Sequence, residues 1–501
     1  MKPQKIIVWH RRDLRVRDNK ALLEASTQGY AMPVFVIDLF FFRENNETNP
    51  DRILFMLESL EDLNEQYKEL GSSLKILFGN TLDKLEEISK KHDAKVYYNF
   101  DTNMNFGIER DIKAATLKNF KGFQNDAIIR EGNSRNSWHK QCADYFESKI
   151  LKPIKLEENK IKNEITTKEI IKKYNLKKEK ISVPKGGTKA AKQRLKEFLE
   201  NLDLYTKSIS KPILSEKYTS RLSAHLSLGC ISTREIYREA NKINAKQKKF
   251  FITRLFWNQH FTQKMQDNPA LTTKPVNPVF EENYDKIYEY NEEYINAWKQ
   301  GKTGYPLVDA SMRALVKTGF LNFRMRAMVA SFFCYILRQN WKIGADFMHY
   351  HLIDADTAIN YAQWQMQAGM VGIHPNRIYN PKKQIIDNDK NLEFIKKYVE
   401  ELKDIPNKYI LDSGKLQTTQ TTLNQEINKE LEELKQKISK YSAPIVNFEK
   451  QVKKAKKIYK KLNEKARKRL YEDKDILRKA SLSGVAKKRY DKKEKTITKV
   501  V

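Results

Sequence analysis

The amino-acid sequence predicts an α/β domain with a doubly wound parallel sheet, then an all-α domain, then a basic C-terminal extension. Three observations indicate this order. Short apolar runs alternate with helical patterns near the N-terminus, the pattern is almost wholly helical from Ala190 onward, and Lys and Arg accumulate near the end. A chain of 501 residues also has room for about two to four domains of ordinary size.

Apolar runs predict the strands of the first domain, which we place at residues 1–150. The first strand ends at His10, and a loop of Arg11, Arg12 and Asp13 leads into a helix from Asn19 to Ser26. Ligands of such sheets bind beyond the carboxyl ends of the strands, but we expect structural ion pairs in this loop. The strands are predicted at Lys5–His10, Pro33–Asp38, Leu74–Phe78 and Lys95–Asn99.

Composition changes mark the remaining boundaries. Residues 151–189 are rich in Lys, Glu and Asn and contain Gly186-Gly187, which predicts an exposed linker. Residues 190–415 form the predicted helical domain, and residues 416–501 form the extension. From Lys450 to Val501 there are 21 Lys and Arg against 6 Asp and Glu. Val452, Ile458 and Leu462 recur at helical spacing, so this part starts as a basic amphipathic helix and ends in about twenty disordered residues. A non-specific DNA arm and a solubilising tail are both open interpretations.

Charge and cysteine content restrict the partners and the compartment. The 94 Lys and Arg against 63 Asp and Glu give a net charge of +31, which favours a nucleic-acid partner, although a coding bias toward Lys is the alternative. Cys142, Cys230 and Cys334 are too scattered for a zinc site or an iron–sulfur cluster, so we expect no metal and a reducing compartment. No apolar run of membrane-spanning length and no signal peptide are evident. We therefore expect a soluble, cytoplasmic monomer without a membrane partner.

The stretch from Gly301 to Gln384 carries the most informative pattern. After a turn that ends at Pro306, several helical segments follow, and the last one opens at Asp354. On that helix Asp356, Asn360 and Trp364 stand at i, i+4 and i+8, so they share one face. A carboxylate, an amide and an indole in a row suit a planar heterocycle with polar edges better than they suit a plain core.

Several segments in fixed order resemble the photolyase–cryptochrome family, over roughly the first four-fifths of the chain. The resemblance implies that the helical domain binds FAD, and that the crevice of the first domain can hold a second, antenna chromophore of the folate or deazaflavin type. It also sets aside family branches that carry a four-cysteine cluster. The segments are VWHRRDLRVRDNKAL (residues 8–22), GKTGYPLVDASMRAL (301–315), the pair Arg324 and Arg326, LIDADTAIN (352–360) and RIYNPKKQ (377–384).

The resemblance also implies a set of cofactor-binding residues. A Thr-Ser-Arg-Leu-Ser turn would bind the pyrophosphate, since backbone N–H groups at a helix start favour anions, although such a turn can also be an ordinary N-cap. Arg326 and Asp354 match the family's ion pair beside the flavin, and Asn360 matches the residue that faces flavin N5. The full set is Tyr205, Thr219, Ser220, Arg221, Leu222, Ser223, Arg326, Asp354, Ala355, Asp356 and Asn360.

Electron transfer is the second role that the resemblance implies. Trp364 and Trp341 match the inner and middle members of the family's electron-transfer chain, and we favour this role over core packing. The outermost position holds Tyr288 rather than tryptophan. The chain can end there or run through Tyr290 or Trp298, and the sequence leaves these alternatives open.

The substrate side departs from the family. Arg254 stands where photolyases that repair cyclobutane dimers carry a glutamate, and Met366 replaces a tryptophan that stacks on the lesion. Trp257 and Met366 still offer surfaces for an extruded dinucleotide, and Arg254 could bind its carbonyls or phosphate. His260 could protonate a lesion, or it could be a satisfied core residue. The predicted DNA-binding residues are Arg254, Trp257, Asn258, His260, Met366 and Gln384.

These features predict a deoxyribodipyrimidine photolyase, a carbon–carbon lyase that splits pyrimidine dimers in ultraviolet-damaged DNA with blue light and reduced FAD. The alternative is a cryptochrome-like blue-light receptor without repair, which the changes at Arg254 and Met366 favour. A flavin-binding, DNA-associated protein without turnover is a third possibility. The sequence leaves the lesion open, cyclobutane or 6-4, and it leaves the antenna open as well.

Overall fold

Five parallel strands form the sheet of the N-terminal domain, in the order β3-β2-β1-β4-β5. The computed structural model describes residues 3–42, 48–103, 107–130, 137–373, 376–411 and 425–480. The four predicted strands are present, and a short fifth strand at the edge was not predicted. The strands are β1 Lys5–His10, β2 Tyr30–Asp38, β3 Lys75–Gly79, β4 Ala94–Asn99 and β5 Phe120–Phe123.

The helices of this domain cover both faces of the sheet, which makes it doubly wound. Asn19 caps the first helix by accepting a hydrogen bond from the Leu22 N–H at 3.1 Å, as its position before an apolar helical pattern predicts. Two apolar cores result, one on each side of the buried strands. These helices are Lys20–Gln28, Pro50–Glu69, Thr81–His92 and Ile108–Ala115, whereas Trp138–Glu147 packs against Thr233–Lys242 of the helical domain.

The segment predicted as a linker runs along the exposed edge of β3. Leu156 donates its N–H to Leu70 O at 2.8 Å, and Glu164 donates its N–H to Ile76 O at 3.0 Å. Covering an edge strand in this way satisfies backbone groups that would otherwise pair with another chain. One short helix, Thr167–Lys173, interrupts the segment.

The second domain is helical, in agreement with the prediction. Its 20-residue helix Lys248–Asp267 packs against Thr357–Gln367, which carries the predicted flavin residues Asn360 and Trp364. None of the helices in the described ranges is long and apolar enough to cross a membrane. From residue 188 to residue 411 the helices are Thr188–Glu200, Tyr205–Ser208, Pro212–Tyr218, Ser223–Ser227, Thr233–Lys242, Lys248–Asp267, Pro278–Glu281, Tyr284–Ile287, Glu292–Gln300, Pro306–Thr318, Phe323–Ser331, Trp341–His351, Thr357–Gln367, Pro381–Asn388, Glu393–Tyr398 and Asn407–Leu411, with a π-helical turn at Phe332–Ile336.

Three further helices follow, and the longest of them belongs to the same core. They are Gln425–Ile438, Phe448–Glu472 and Lys474–Lys479. Phe448–Glu472, hereafter the C-terminal helix, buries Tyr459, which packs on Tyr335 with ring centroids 4.9 Å apart. The amphipathic helix expected near residue 450 is therefore present, but it completes the helical domain rather than extending away from it. The predicted disordered end lies outside the described residues.

Candidate cofactor and electron-transfer site

The predicted phosphate turn lies between the helices Pro212–Tyr218 and Ser223–Ser227. Arg194 fixes the turn from outside, because its guanidinium donates to Thr219 O at 2.6 Å and to Ser220 O at 3.1 Å. Arg221 has a φ of 52°, so the backbone turns sharply there. The N–H groups of residues 220 to 223 donate to no residue that the structure describes. Donors left available in a tight turn fit a bound pyrophosphate.

A second charged group stands beside the turn. Arg326 donates from Nη2 to both carboxylate oxygens of Asp354, at 3.0 and 2.9 Å, as the sequence analysis expected for this pair. The Arg221 guanidinium lies 3.5 Å from the centroid of the Phe320 ring. Burial lowers the pKa of Arg221, and the nearby Asp354 carboxylate opposes this effect. The pocket therefore combines fixed cations with one shared carboxylate.

Asp356 links this site to the N-terminal domain. Its Oδ1 accepts the Ile359 N–H at 3.0 Å, which caps the helix Thr357–Gln367. Its Oδ2 accepts a short hydrogen bond from Arg12 of the first domain, and Arg12 Nε also donates to Ser227 O at 2.6 Å. The predicted ion-pair role of the Arg11-Arg12-Asp13 loop is therefore present, but sequence reasoning missed its partner Asp356. The two residues lie 344 positions apart in the sequence, and no local pattern connects them.

Asn360 occupies the next position on the same helix face. Its Nδ2 donates to Ala345 O at 3.0 Å, and the residue is only 7% exposed. Since the amide nitrogen is held by a carbonyl, the side-chain oxygen is the atom available to a ligand donor such as a flavin N5–H. The role of Asn360 at flavin N5 stays a prediction.

Trp364 and Trp341 are both buried in the aromatic interior of the helical domain. Trp364 Nε1 has no hydrogen-bond partner among the described residues, which is unusual for a buried indole. Gly344 lies against its ring, in the helix that also carries Trp341, and a Cβ atom there would overlap the indole. The glycine therefore allows the two tryptophan-bearing helices to approach closely.

A tyrosine that the sequence analysis did not consider continues the path from Trp341. Trp341 Nε1 donates to the hydroxyl of Tyr284 at 3.1 Å, and the rings of Tyr284 and Tyr288 have centroids 5.2 Å apart. The predicted outer member, Tyr288, donates its hydroxyl to Met370 Sδ at 3.7 Å and also lies beside the backbone N–H of Trp341. The ring centroids of Trp298 and Trp364 are 6.1 Å apart, but Trp298 is fully buried and does not reach the surface. Tyr290 is 74% exposed. The helical period of the sequence could not show which of these aromatic residues lies next to Trp341.

The substrate side forms a cationic and aromatic rim, which we define as Arg254, Trp257, Phe323, Arg324 and Tyr379. Phe323 is 41% exposed, and the guanidinium carbons of Arg254 and Arg324 lie 5.3 and 5.1 Å from its ring centroid. Arg324 also donates to the Tyr379 hydroxyl at 3.2 Å. Sequence reasoning missed Phe323, although an apolar residue directly before an Arg-x-Arg pair is a usable signal.

One of the predicted cofactor-binding residues, Tyr205, lies beside the rim. Tyr205 packs on Phe251 and lies beside Arg254, and burial raises the pKa of its phenol to about 12. Trp257 is 40% exposed and stacks on Phe261, and its ring centroid is 5.4 Å from that of His260. The predicted Tyr205, Arg254, Trp257 and His260 are thus brought together.

The other predicted DNA-binding residues are less prominent. Asn258 Oδ1 accepts from Gln259 Nε2 at 3.0 Å, and Met366 is partly buried against the main core. Gln384 is 9% exposed, and its side-chain oxygen accepts from Asn388 Nδ2 at 3.1 Å. Of the six predicted contacts, Gln384 is therefore the least accessible to a large ligand.

A separate cavity of about 110 Å³ lies at the carboxyl ends of the strands, where the two domains meet. Trp9 and Arg11 stand on one side, with the guanidinium carbon 4.3 Å from the ring centroid. Ile353 and Ala355 come from the helical domain, so this cavity adjoins the segment that carries Asp354 and Asp356. Its position is that of the crevice in which the sequence analysis expected a second chromophore, but its volume is below the roughly 300–1,000 Å³ of ordinary ligand pockets.

Comparison with known proteins agrees with both halves of the molecule. Residues 6–126 match the family model described as DNA photolyase, and residues 251–461 match the FAD binding domain of DNA photolyase. The second match extends beyond the predicted boundary at 415 and includes the first half of the C-terminal helix.

Curated relatives carry two different names. The chain is 29% identical to a deoxyribodipyrimidine photo-lyase of Halobacterium salinarum over 442 residues, which cover 80% of this chain and 90% of that protein. It is 26% identical to a cryptochrome DASH of Ostreococcus tauri over 486 residues, which cover 81% of this chain and 86% of that protein.

Solved structures agree in fold. An archaeal photolyase of Sulfolobus tokodaii, crystallised with two FAD molecules, is 29% identical with a TM-score of 0.72, and the match covers 91% of this chain and 100% of that one. A class III photolyase of Agrobacterium tumefaciens, 24% identical, has a TM-score of 0.76, over 93% of this chain and 98% of that one. Because both domain models match in order and the relatives cover most of the chain, the chain belongs to the photolyase–cryptochrome family.

Proposed function

We propose that this protein is a light-driven DNA repair enzyme that splits pyrimidine dimers. The observation that carries the proposal is that the buried Asn360 and Trp364 follow Asp356 on one helix, in a domain that also carries the cationic, aromatic rim. When bound in reduced form, FAD supplies the electron that blue light drives into the dimer, whose cross-link then breaks before the electron returns. Binding and orientation of the cofactor and the lesion would come from the side chains and backbone of the protein.

The pocket residues hold and orient the cofactor. The unused N–H groups of residues 220 to 223 would bind the pyrophosphate, and the Arg326–Asp354 pair would fix the polar edge of the ring system. Asn360 offers a side-chain oxygen that cannot titrate, so it would donate no proton and would hold its hydrogen bond across the working pH range. The buried position of these groups excludes water and strengthens each polar contact.

The rim would hold the damaged strand against the pocket. Phe323 and Trp257 offer flat apolar surfaces to the extruded bases, and Arg254 and Arg324 offer donors to carbonyl or phosphate oxygens. Flipping bases out of the duplex costs a few kcal/mol, and the cost is lower at a lesion than at an intact pair, which favours damaged sites. Arg254 would also stabilise negative charge on the dimer as it accepts the electron, a role that a carboxylate at this position could not have.

Trp364 and Trp341 would return electrons to an oxidised cofactor. Both indoles are buried, and Tyr284 takes the hydrogen bond of Trp341 on the outer side. We propose that a second chromophore binds in the crevice between the domains, since the cavity there adjoins the segment that would contact the flavin. This cavity would have to widen to admit a folate or a deazaflavin. The cytoplasmic location and the monomeric state stay predictions.

A blue-light receptor without repair is the second candidate. Arg254 and Met366 replace residues that contact the lesion in the family, and several relatives bear the name cryptochrome DASH. In this case, photoreduction through Trp364 would be the activity, and a change in conformation would be the output.

One experiment separates the two functions. The purified, photoreduced protein is illuminated with oligonucleotides that contain a cyclobutane dimer or a 6-4 product, and restored pyrimidines are measured by chromatography. Repair of either lesion that requires light and the loaded protein supports the enzyme. Photoreduction of the flavin with neither lesion repaired supports the receptor, and a purified protein that is colourless and fails to bind added FAD contradicts both.

A further inference from the structure

The C-terminal helix concentrates positive charge far beyond the average of the chain. Eleven of its 25 residues are Lys or Arg and three are acidic, whereas 94 of all 501 residues are Lys or Arg. A coding bias toward Lys would raise the lysine content of every exposed helix to a similar degree. A coding bias alone therefore does not explain the excess of Lys and Arg in this helix.

The charges lie on one face. Ala455, Tyr459, Leu462, Ala466 and Leu470 form a buried stripe at i, i+4, i+7, i+11 and i+15. The opposite side is exposed and carries lysines, of which seven have no carboxylate within ion-pair distance in the described part of the chain. These seven are Lys450, Lys453, Lys456, Lys457, Lys460, Lys461 and Lys465.

This arrangement differs from the other lysine-bearing helices. Lys84 pairs with Glu87, and Lys140 pairs with Asp144, each one turn away along its helix. Such pairs give a mixed, solvated surface with a small effect on stability. On the C-terminal helix the lysines repel one another instead, a cost that a bound polyanion would remove.

One hydrogen bond connects the C-terminal helix to the segment that leads to the rim. Asn463, in the middle of the C-terminal helix, donates from Nδ2 to Asn376 Oδ1 at 3.1 Å. The next residue, Arg377, is exposed, and Tyr379 two residues later contacts Arg324 of the rim. One helix of this length spans about 37 Å, which corresponds to about eleven base-pair steps of duplex DNA.

We propose that the lysine face of the C-terminal helix binds the phosphate backbone of duplex DNA next to the damaged site. The inference rests on the proposed function in one respect, since it takes the rim to be where the lesion lies. Lysines on flexible stems suit phosphate contacts that do not read sequence. An anionic membrane is a poorer partner, because the apolar stripe that would insert into it is already buried in the helical domain.

The test compares two sets of Lys→Gln substitutions in the full-length protein. The first set is Lys453→Gln, Lys457→Gln, Lys460→Gln and Lys461→Gln. The matched control changes four exposed lysines of the linker segment that also form no ion pair with the described residues, Lys162, Lys168, Lys172 and Lys177. Binding to an undamaged, fluorescent duplex of about 30 base pairs is followed by anisotropy over a series of salt concentrations.

We expect the first set to lower the slope of log affinity against log salt by about 0.9 for each phosphate that the helix no longer neutralises, and to weaken binding about tenfold or more. The control set should keep the slope of the unmodified protein. A duplex of about 10 base pairs should show a smaller difference between the two sets, because it cannot cover both the rim and the helix.

Two outcomes would overturn the inference. Equal slopes for both sets would show that the helix does not contact phosphates. The unmodified protein could also bind a structured RNA or anionic vesicles more tightly than the duplex. If the first set of substitutions abolished that binding, the lysine face would belong to another partner. Light-driven repair in a short single strand, measured separately on the unmodified protein, reports on the proposed function, so the two can fail independently.

Discussion

The hydrogen bond between Trp341 and Tyr284 predicts which tyrosine exchanges electrons with Trp341. Because Trp341 Nε1 donates to the Tyr284 hydroxyl at 3.1 Å, we expect Tyr284→Phe to slow photoreduction of the bound flavin more than Tyr288→Phe does. Tyr288 donates to a thioether, which cannot take a proton, and burial raises the pKa of its phenol well above the usual value. Laser-flash absorption measures both rates, and Trp364→Phe provides the slow reference. Equal rates for the two tyrosine variants would show that electrons leave Trp341 by another route.

Asn360 tests the cofactor side of the same helix. Asn360→Asp replaces the amide that donates to Ala345 O with a group that, when ionised, would face a carbonyl oxygen in a buried site. We expect FAD to remain bound, and we expect the fraction of flavin in each redox form after illumination to change. Absorption spectra recorded during illumination check this, and Asn258→Asp beside the rim serves as the control. Identical spectra for Asn360→Asp and the unmodified protein would remove the assigned role.

The sequence predicted residues that act through a local pattern and missed those that act across the fold. Asp356, Asn360 and Trp364 follow from a helical period, and the Arg326–Asp354 pair followed from the family resemblance. Arg12 could not be matched to Asp356, because the contact depends on how two domains pack. Tyr284 was missed for a similar reason, since its short helix is placed by the core rather than by its own sequence.

At the scale of elements, Gly344 sets the distance between the helices Trp341–His351 and Thr357–Gln367. In an unconstrained helix, Gly→Ala stabilises by up to about 1 kcal/mol. Here the added Cβ would overlap the Trp364 ring and lie 3.0 Å from Phe333 Cδ1, so we expect Gly344→Ala to destabilise by about 1–3 kcal/mol. Urea unfolding measures the change in free energy. A stabilised Gly344→Ala variant would show that the helices can separate at no cost.

Elements with a strong period were predictable, and elements placed by tertiary packing were not. The four predicted strands are continuous apolar runs, as expected for a sheet buried on both faces. β5 is only four residues long, Phe120–Phe123, and partly exposed, so it carried no such signal. The C-terminal helix was predicted from its helical period. The surface against which it packs could not be predicted, because a sequence shows that an apolar stripe exists without showing what buries it.

At the scale of the whole molecule, the two domains meet through charged and polar contacts that also belong to the sites. Arg12 reaches Asp356 on the flavin-site helix, and the second cavity is lined by residues from both domains. Arg234 of the helical domain pairs with the buried Asp18 of the first, with Nη2 donating to Oδ1 at 2.5 Å. Domain packing and the geometry of the candidate sites are therefore coupled, and a loss of the interface would disturb both.

His351 gives this coupling a testable pH dependence. It ends the helix Trp341–His351 and lies 3.5 Å from Lys180 Nζ of the linker segment, and burial together with Lys180 lowers the pKa of His351 to about 4. Well above pH 6.5 the imidazole is neutral in both the folded and the unfolded chain, so its protonation does not change the free energy of unfolding there. As the pH falls from 6.5 toward 4, the unfolded chain takes up a proton that the folded protein excludes, and stability is lost. The loss is at most about 3 kcal/mol for this group.

We therefore expect His351→Gln to flatten the decline in unfolding free energy between pH 6.5 and pH 4, relative to the unmodified protein. Other buried histidines, such as His225, whose pKa burial also lowers, continue to contribute, so the difference between the two proteins isolates His351. Urea unfolding across this pH range measures it, and His139→Gln at an exposed position is the matched control. Parallel pH profiles for His351→Gln and the unmodified protein would show that the imidazole is hydrated in the folded state, and that the linker does not seal this part of the interface.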